Sequence, residues 1–218
     1  MISVAAALVL SNLRVPADTV SLTADQDVWV YAHSSDAAGE PYLMAWGVGG
    51  KAIADNPDDA ESCSYSYLRF SLDQIPAGKK LVGATMILKP MGSPEINPAA
   101  KDWPLEVRPL KGTFTEREWS YDVASTVVPM PEIFGTGIIG AVSGSADAKD
   151  LEIRVDLMGK TSKFSDAFAA AAKDKKPMYF ALTSKYDPSN QGRSGVYRLY
   201  SRDNKDESVR PKLVLTFE

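Results

Sequence analysis

The sequence predicts an all-β protein, an antiparallel β-sandwich of jelly-roll type carrying one short helix. Three observations predict it. The run Tyr65-Ser66-Tyr67-Leu68-Arg69-Phe70-Ser71-Leu72 alternates with a period of two, placing Ser66, Leu68, Phe70 and Leu72 on one side and Tyr65, Tyr67, Arg69 and Ser71 on the other. The segment Lys212-Leu213-Val214-Leu215-Thr216-Phe217-Glu218 alternates in the same way and closes the chain. The 14 Pro and 15 Gly are spread along the whole length, as many turns and few long helices require.

The elements follow in order. Val4–Leu10 is a short apolar run, and Val15-Pro16-Ala17 after it offers the small residues that a signal peptidase needs. Residues 1–17 therefore read as the remnant of a secretion signal without its basic start, and residues 18–218 as one domain. The run is too short for a membrane span, which takes about 20 apolar residues. Thr19–Leu22 and Asp27–Tyr31 are strand-like, and residues 32–62, with Gly39, Gly47, Gly49 and Gly50, form a long loop region. Ile75-Pro76-Ala77-Gly78 is a turn, and Leu81–Lys89, Leu105–Leu110 and Leu151–Leu157 are strands. Ser165–Lys173 is the one helix, with Ser165 as its cap, Asp166 at its positive end and Pro177 beyond it. Met178–Thr183, Val196–Tyr200 and the terminal strand complete the set. Gly140–Ala148 is a loop too short to divide two domains, and the core is built on Leu68, Phe70, Leu72, Met86, Leu88, Leu213, Leu215 and Phe217.

Composition narrows the chemistry. A net charge of −4 argues against nucleic acid as the main partner, because phosphate recognition needs a basic footprint. Cys63 is alone, so no intrachain disulfide forms. His33 is the only histidine, which disfavours a Ser-His-Asp triad and a histidine-rich zinc site, and no Gly-rich phosphate loop occurs. The 28 Asp and Glu include no pair placed by pattern on strand ends for glycoside hydrolysis. A polysaccharide lyase using Tyr65 or Tyr67 as base beside Arg69 stands as an alternative.

Two constellations remain. The acidic loop Asp55-Asn56-Pro57-Asp58-Asp59-Ala60-Glu61 gathers the oxygen ligands that hard calcium prefers, although its spacing matches no standard calcium loop. Strand parity also turns Tyr65, Tyr67, Arg69, Lys89 and Arg108 away from the core, while Arg198, Tyr200 and Arg202 share one side of their strand. If these strands share a sheet, they form a basic, tyrosine-rich face. Such a face suits an anionic polysaccharide: Arg pairs with carboxylates, Lys supplies point charge, and Tyr gives flat area with a hydroxyl. Trp46 and Trp103, in the long loops, are further candidates for stacking on sugar rings.

The order of several segments carries a resemblance. It runs through Ala24-Asp25-Gln26-Asp27-Val28-Trp29-Val30, Ser66–Leu72, the Ile75–Gly78 turn, Gly83–Leu88, Trp119, Asp156-Leu157 before a helix, Tyr200-Ser201-Arg202 and Pro211–Phe217. Together these resemble the DNRLRE-type domains of secreted proteins, which overlap with a jelly-roll carbohydrate-binding module family (family 96) that includes alginate binders. This sequence has longer loops at 32–64 and 90–102, and Asp203 stands where the family commonly has glutamate. The resemblance implies a structural calcium near the first strand, with Asp25 or Asp27 joining Asp55, Asp58 and Asp59. It implies a secreted, non-catalytic module for a uronate-containing polysaccharide, working beside a larger secreted enzyme or a cell-surface assembly. A purely structural or adhesive surface domain is the main alternative.

Overall fold

Alternation in the sequence becomes alternation in burial. Leu213, Leu215 and Phe217 point inward from the last strand, while Lys212, Val214 and Thr216 stay half-exposed. The computed structural model describes residues 17–31, 38–47, 64–92, 102–124, 126–127, 129–141, 151–185 and 197–218. These residues form twelve strands: β1 (Asp18–Thr23), β2 (Gln26–Val30), β3 (Tyr42–Ala45), β4 (Tyr65–Phe70), β5 (Leu81–Leu88), β6 (Leu105–Pro109), β7 (Gly135–Gly137), β8 (Ile139–Ala141), β9 (Leu151–Asp156), β10 (Met178–Ser184), β11 (Tyr197–Tyr200) and β12 (Lys212–Phe217). Two helices, α1 (Tyr121–Ala124) and α2 (Phe164–Lys173), accompany them.

Two five-stranded antiparallel sheets make the sandwich. The first has the order β1-β12-β5-β9-β8 and the second β2-β4-β10-β6-β7. Their inner faces contribute Met86, Leu88, Ile153, Val155, Leu213 and Leu215 from one side and Leu68, Phe70, Leu105, Val107, Phe180 and Leu182 from the other, in one continuous buried cluster. Every residue expected in the core is buried. A two-stranded ribbon, β3 with β11, is tied to both sheets: Trp46 bridges Ser64 ahead of β4, and Pro90 after β5 bridges Leu199.

Several elements depart from the expected ones. β3 lies inside the segment expected to be loop, and β7 and β8 are three-residue strands too short to show a period. Gly140 and Ala141, expected in a loop, belong to β8. The glycines of β7 have a steric reason, because this strand runs against β9 of the opposite sheet. A Cβ on Gly137 would lie 2.7 Å from Ile153 Cγ2 and 2.8 Å from Val155 Cγ2. The expected turn at 75–78 does form, and Gly78 takes φ +74° there.

Helix α2 begins one residue early because Phe164 is fully buried and stacks on Phe180 at 6.2 Å. Ser165 lies inside the helix and does not cap it; the N-cap position is Lys163, without a side-chain cap bond, and the Ser162 Oγ just ahead of it accepts the Phe164 N–H at 3.1 Å. At the other end Lys175 takes φ 54°. The Lys175 and Lys176 amides close on the Ala172 and Ala171 carbonyls in a Schellman pattern ahead of Pro177. Among the described residues no helix is long and apolar enough to cross a membrane.

Candidate ligand-binding surface

The outer face of the second sheet carries the side chains that parity places there. Arg69 is opposite Tyr179, Tyr67 is opposite Ala181, and Ala181 is opposite Arg108, so Tyr67 and Arg108 flank one residue of β10. The face is nevertheless covered. The connection from β6 to β7 folds over it, setting Phe114 at 6.0 Å and Trp119 at 5.1 Å from the Tyr67 ring. Tyr65 and Tyr67 are fully buried and offer no platform to a ligand, which corrects their expected exposure.

The arginines of this face are engaged as well. Arg108 is buried, with Nη2 donating to Glu106 Oε2 at 2.7 Å, Nε to Thr183 Oγ1 at 3.0 Å and Nη1 to the Pro131 carbonyl at 2.6 Å. Thr183 Oγ1 also donates to Glu106 Oε2, closing a buried network. Arg69 is half-buried and grips Asp25 with two hydrogen bonds of 2.9 and 2.8 Å. The bond to Asp25 is the main reason its guanidinium is held above its usual range. Both residues therefore hold the fold together.

Lys89 directly follows β5 of the other sheet. Its Nζ meets Glu152 Oε2 at 3.1 Å, and Arg154 meets Glu152 Oε1 at 2.7 Å. Burial pushes the Glu152 carboxyl up, but hydrogen bonds from Arg154 and Lys89 outweigh it and hold the group below the usual carboxylate range. The five cations expected on one face are thus divided among the two sheets, the ribbon and the loop after it.

The ribbon keeps the expected chemistry at its surface. Tyr42 pairs with Tyr200 and Met44 with Arg198, and these four side chains are half-exposed, whereas Leu43, Ala45, Tyr197 and Leu199 point inward and are buried. The Arg198 guanidinium carbon sits 4.1 Å from the Tyr42 ring centroid, a cation–π contact. Its Nε is buried without a hydrogen-bond partner. Tyr42 rests in turn on Trp29, 5.9 Å away. Beside the ribbon Trp103 is 42% exposed, and its carbonyl accepts the Tyr197 hydroxyl at 2.6 Å. Trp46 is buried against Tyr31 at 5.2 Å and does not present its ring for stacking. Tyr42 and Met44 escaped the sequence reading. The Tyr-Leu-Met-Ala alternation was present, but glycines on both sides gave the whole segment the look of a loop.

Arg202 does not continue this surface. Its Nε donates to Glu116 Oε2 at 2.9 Å, and its backbone N–H to Asp27 Oδ2 at 2.7 Å. Burial opposes its charge, but the bonds to Glu116 prevail and hold it above its usual range. Of the expected calcium ligands, Asp25 is engaged by Arg69 and Asp27 lies in this buried cluster, while Asp55, Asp58 and Asp59 lie outside the described residues, as do His33 and Cys63. Among the described residues no group of three or more His, Cys, Asp or Glu is arranged to hold a metal ion. A cleft of about 510 Å³ opens at the opposite end of β4, over Leu72, Ile75, Phe168 and Phe217, far from the ribbon. The chain matches no family model and no curated protein.

Proposed function

We propose that the protein is a non-catalytic carbohydrate-binding module for an anionic, uronate-containing polysaccharide, acting outside the cell, and that the ribbon of β3 and β11 is its contact surface. One observation carries this reading: Arg198 lies over Tyr42, beside Tyr200, on a half-exposed face of the ribbon. A guanidinium presents a planar donor fork to a carboxylate, and tyrosines give flat area with hydroxyls at low entropic cost. Trp103 adds an exposed ring at the flank. The burial of Tyr65 and Tyr67 supports binding over lyase chemistry by these two tyrosines and Arg69.

Affinity electrophoresis through gels containing alginate, pectin or neutral glucan tests the reading. The uronate polymers are expected to retard the protein, and less so as salt rises, because exposed charges are screened over about 8 Å at physiological ionic strength. Equal retardation by neutral glucan would shift the contact to stacking on Trp103. No retardation of folded protein by any polymer would contradict the proposal and favour a structural surface domain.

A further inference from the structure

The cleft between the turn after β4 and helix α2 has the size and the build of a small-molecule site. Its volume of about 510 Å³ falls within the range of such sites, roughly 300–1,000 Å³. Both walls are held in place. On the turn side the Ile75 N–H donates to the Leu72 carbonyl at 3.2 Å, and Lys80 and Glu218 exchange two backbone hydrogen bonds of 2.9 Å. On the helix side Phe168 is buried, with its ring 6.0 Å from the Phe217 ring.

The lining is divided by chemistry. The floor is hydrocarbon, made of Leu72, Ile75, Phe168 and Phe217. Among the described residues that line it, only Asp73, Lys79 and Lys175 carry polar side chains, two ammonium groups against one carboxylate. Asp73 is occupied locally, its Oδ2 accepting the Ser71 hydroxyl at 2.7 Å. Lys79 meets Asp18 at 3.1 Å, whereas Lys175 forms no ion pair among the described residues. Lys175 is also the one non-glycine with a positive φ among the described residues, at 54°. Glycine is the usual occupant of that helix-ending position, because it has no Cβ to strain. A lysine held there at a backbone cost, beside a cleft, points to a role for its charge.

We propose that this cleft binds a small amphiphilic monocarboxylate, with its hydrocarbon part on the Phe168–Phe217 floor and its carboxylate at Lys175, Lys79 standing by. The floor offers none of the hydroxyl, amide or backbone-mimicking side chains that orient a sugar ring, so the site is distinct from the ribbon and does not rest on the polysaccharide reading. The excess of ammonium groups selects the anion over an amphiphile of opposite charge.

Two-dimensional NMR of the labelled full chain, titrated with octanoate, hydrocinnamate, octylammonium and glucuronate, tests the site. The two amphiphilic carboxylates are expected to shift the Phe168, Ala172 and Lys175 signals and to saturate at millimolar concentration. The tighter of the two tells whether a chain or a ring fills the floor. Octylammonium and glucuronate are expected to leave these signals in place. Lys175→Gly should bind octanoate about two- to fivefold more weakly, the scale of an exposed ion pair. It should unfold at the same or a higher urea concentration, because glycine takes this φ without strain. Ala172→Leu adds bulk to the helix wall with a strong helix former and is expected to abolish the octanoate shifts. No saturable shift in folded wild type, or equal shifts with octylammonium or glucuronate, would overturn the proposal. An octanoate affinity unchanged by Lys175→Gly would overturn the place given to the carboxylate, and one unchanged by Ala172→Leu would overturn the cleft itself.

Discussion

The outer face of the second sheet and the face of the β3–β11 ribbon are built from the same residue types and meet different fates. Both set tyrosines beside arginines. On the sheet, Tyr65 is fully buried, Tyr67 disappears beneath Phe114 and Trp119, and Arg108 beneath the carbonyls of Met130 and Pro131. On the ribbon, Tyr42, Arg198 and Tyr200 stay half-exposed. Strand parity decides which way a side chain points, but only the next layer decides whether that direction ends in solvent. Glu106 and Thr183 stand beside Arg108 and satisfy it internally, whereas Arg198 has an aromatic ring beneath it and an unmatched Nε.

The comparison can be broken most forcefully at Arg108. Arg108→Ala strands Glu106 in the interior and is expected to cost about 3–5 kcal/mol in chemical denaturation. A loss below about 1 kcal/mol would mean that the covered face is wetter than its burial implies. Trp119→Ala strips part of the cover and is expected to cost about 3 kcal/mol. It should also make Tyr67 accessible to fluorescence quenchers, and an unquenched Tyr67 would show that the cover does not depend on Trp119. The mildest effect belongs to the ribbon: Arg198→Ala should change stability by less than about 1 kcal/mol, the scale of an exposed cation–π contact.

The sandwich was legible wherever alternation ran for six residues or more. β4, β5 and β12 announced themselves, and Leu68, Phe70, Met86 and Leu215 are all buried as their parity required. β7 and β8 were not legible, since three residues with glycine carry no period, and the close approach to Ile153 and Val155 that demands Gly137 comes from a strand of the opposite sheet. The site was legible in part. Arg198 and Tyr200 were found, Tyr42 was hidden between glycines, and Tyr67 was misread because its cover comes from Phe114 and Trp119, well separated in sequence. Phe114 and Trp119 were the available signal: two large aromatics in a connection must bury themselves against something. The Arg202–Glu116–Asp27 cluster joins three distant segments, and no spacing in the sequence brings them together.

The central claim, that this protein meets an anionic polysaccharide through the ribbon and not through the sheet, is tested most directly by comparing Arg198→Ala with Arg69→Ala in alginate gels. Both arginines were candidates by parity, and they now stand on different surfaces, one over Tyr42 and one locked to Asp25. The account predicts that Arg198→Ala migrates as though alginate were absent while Arg69→Ala is retarded like the wild type. Retardation retained by Arg198→Ala and lost by a folded Arg69→Ala would contradict it.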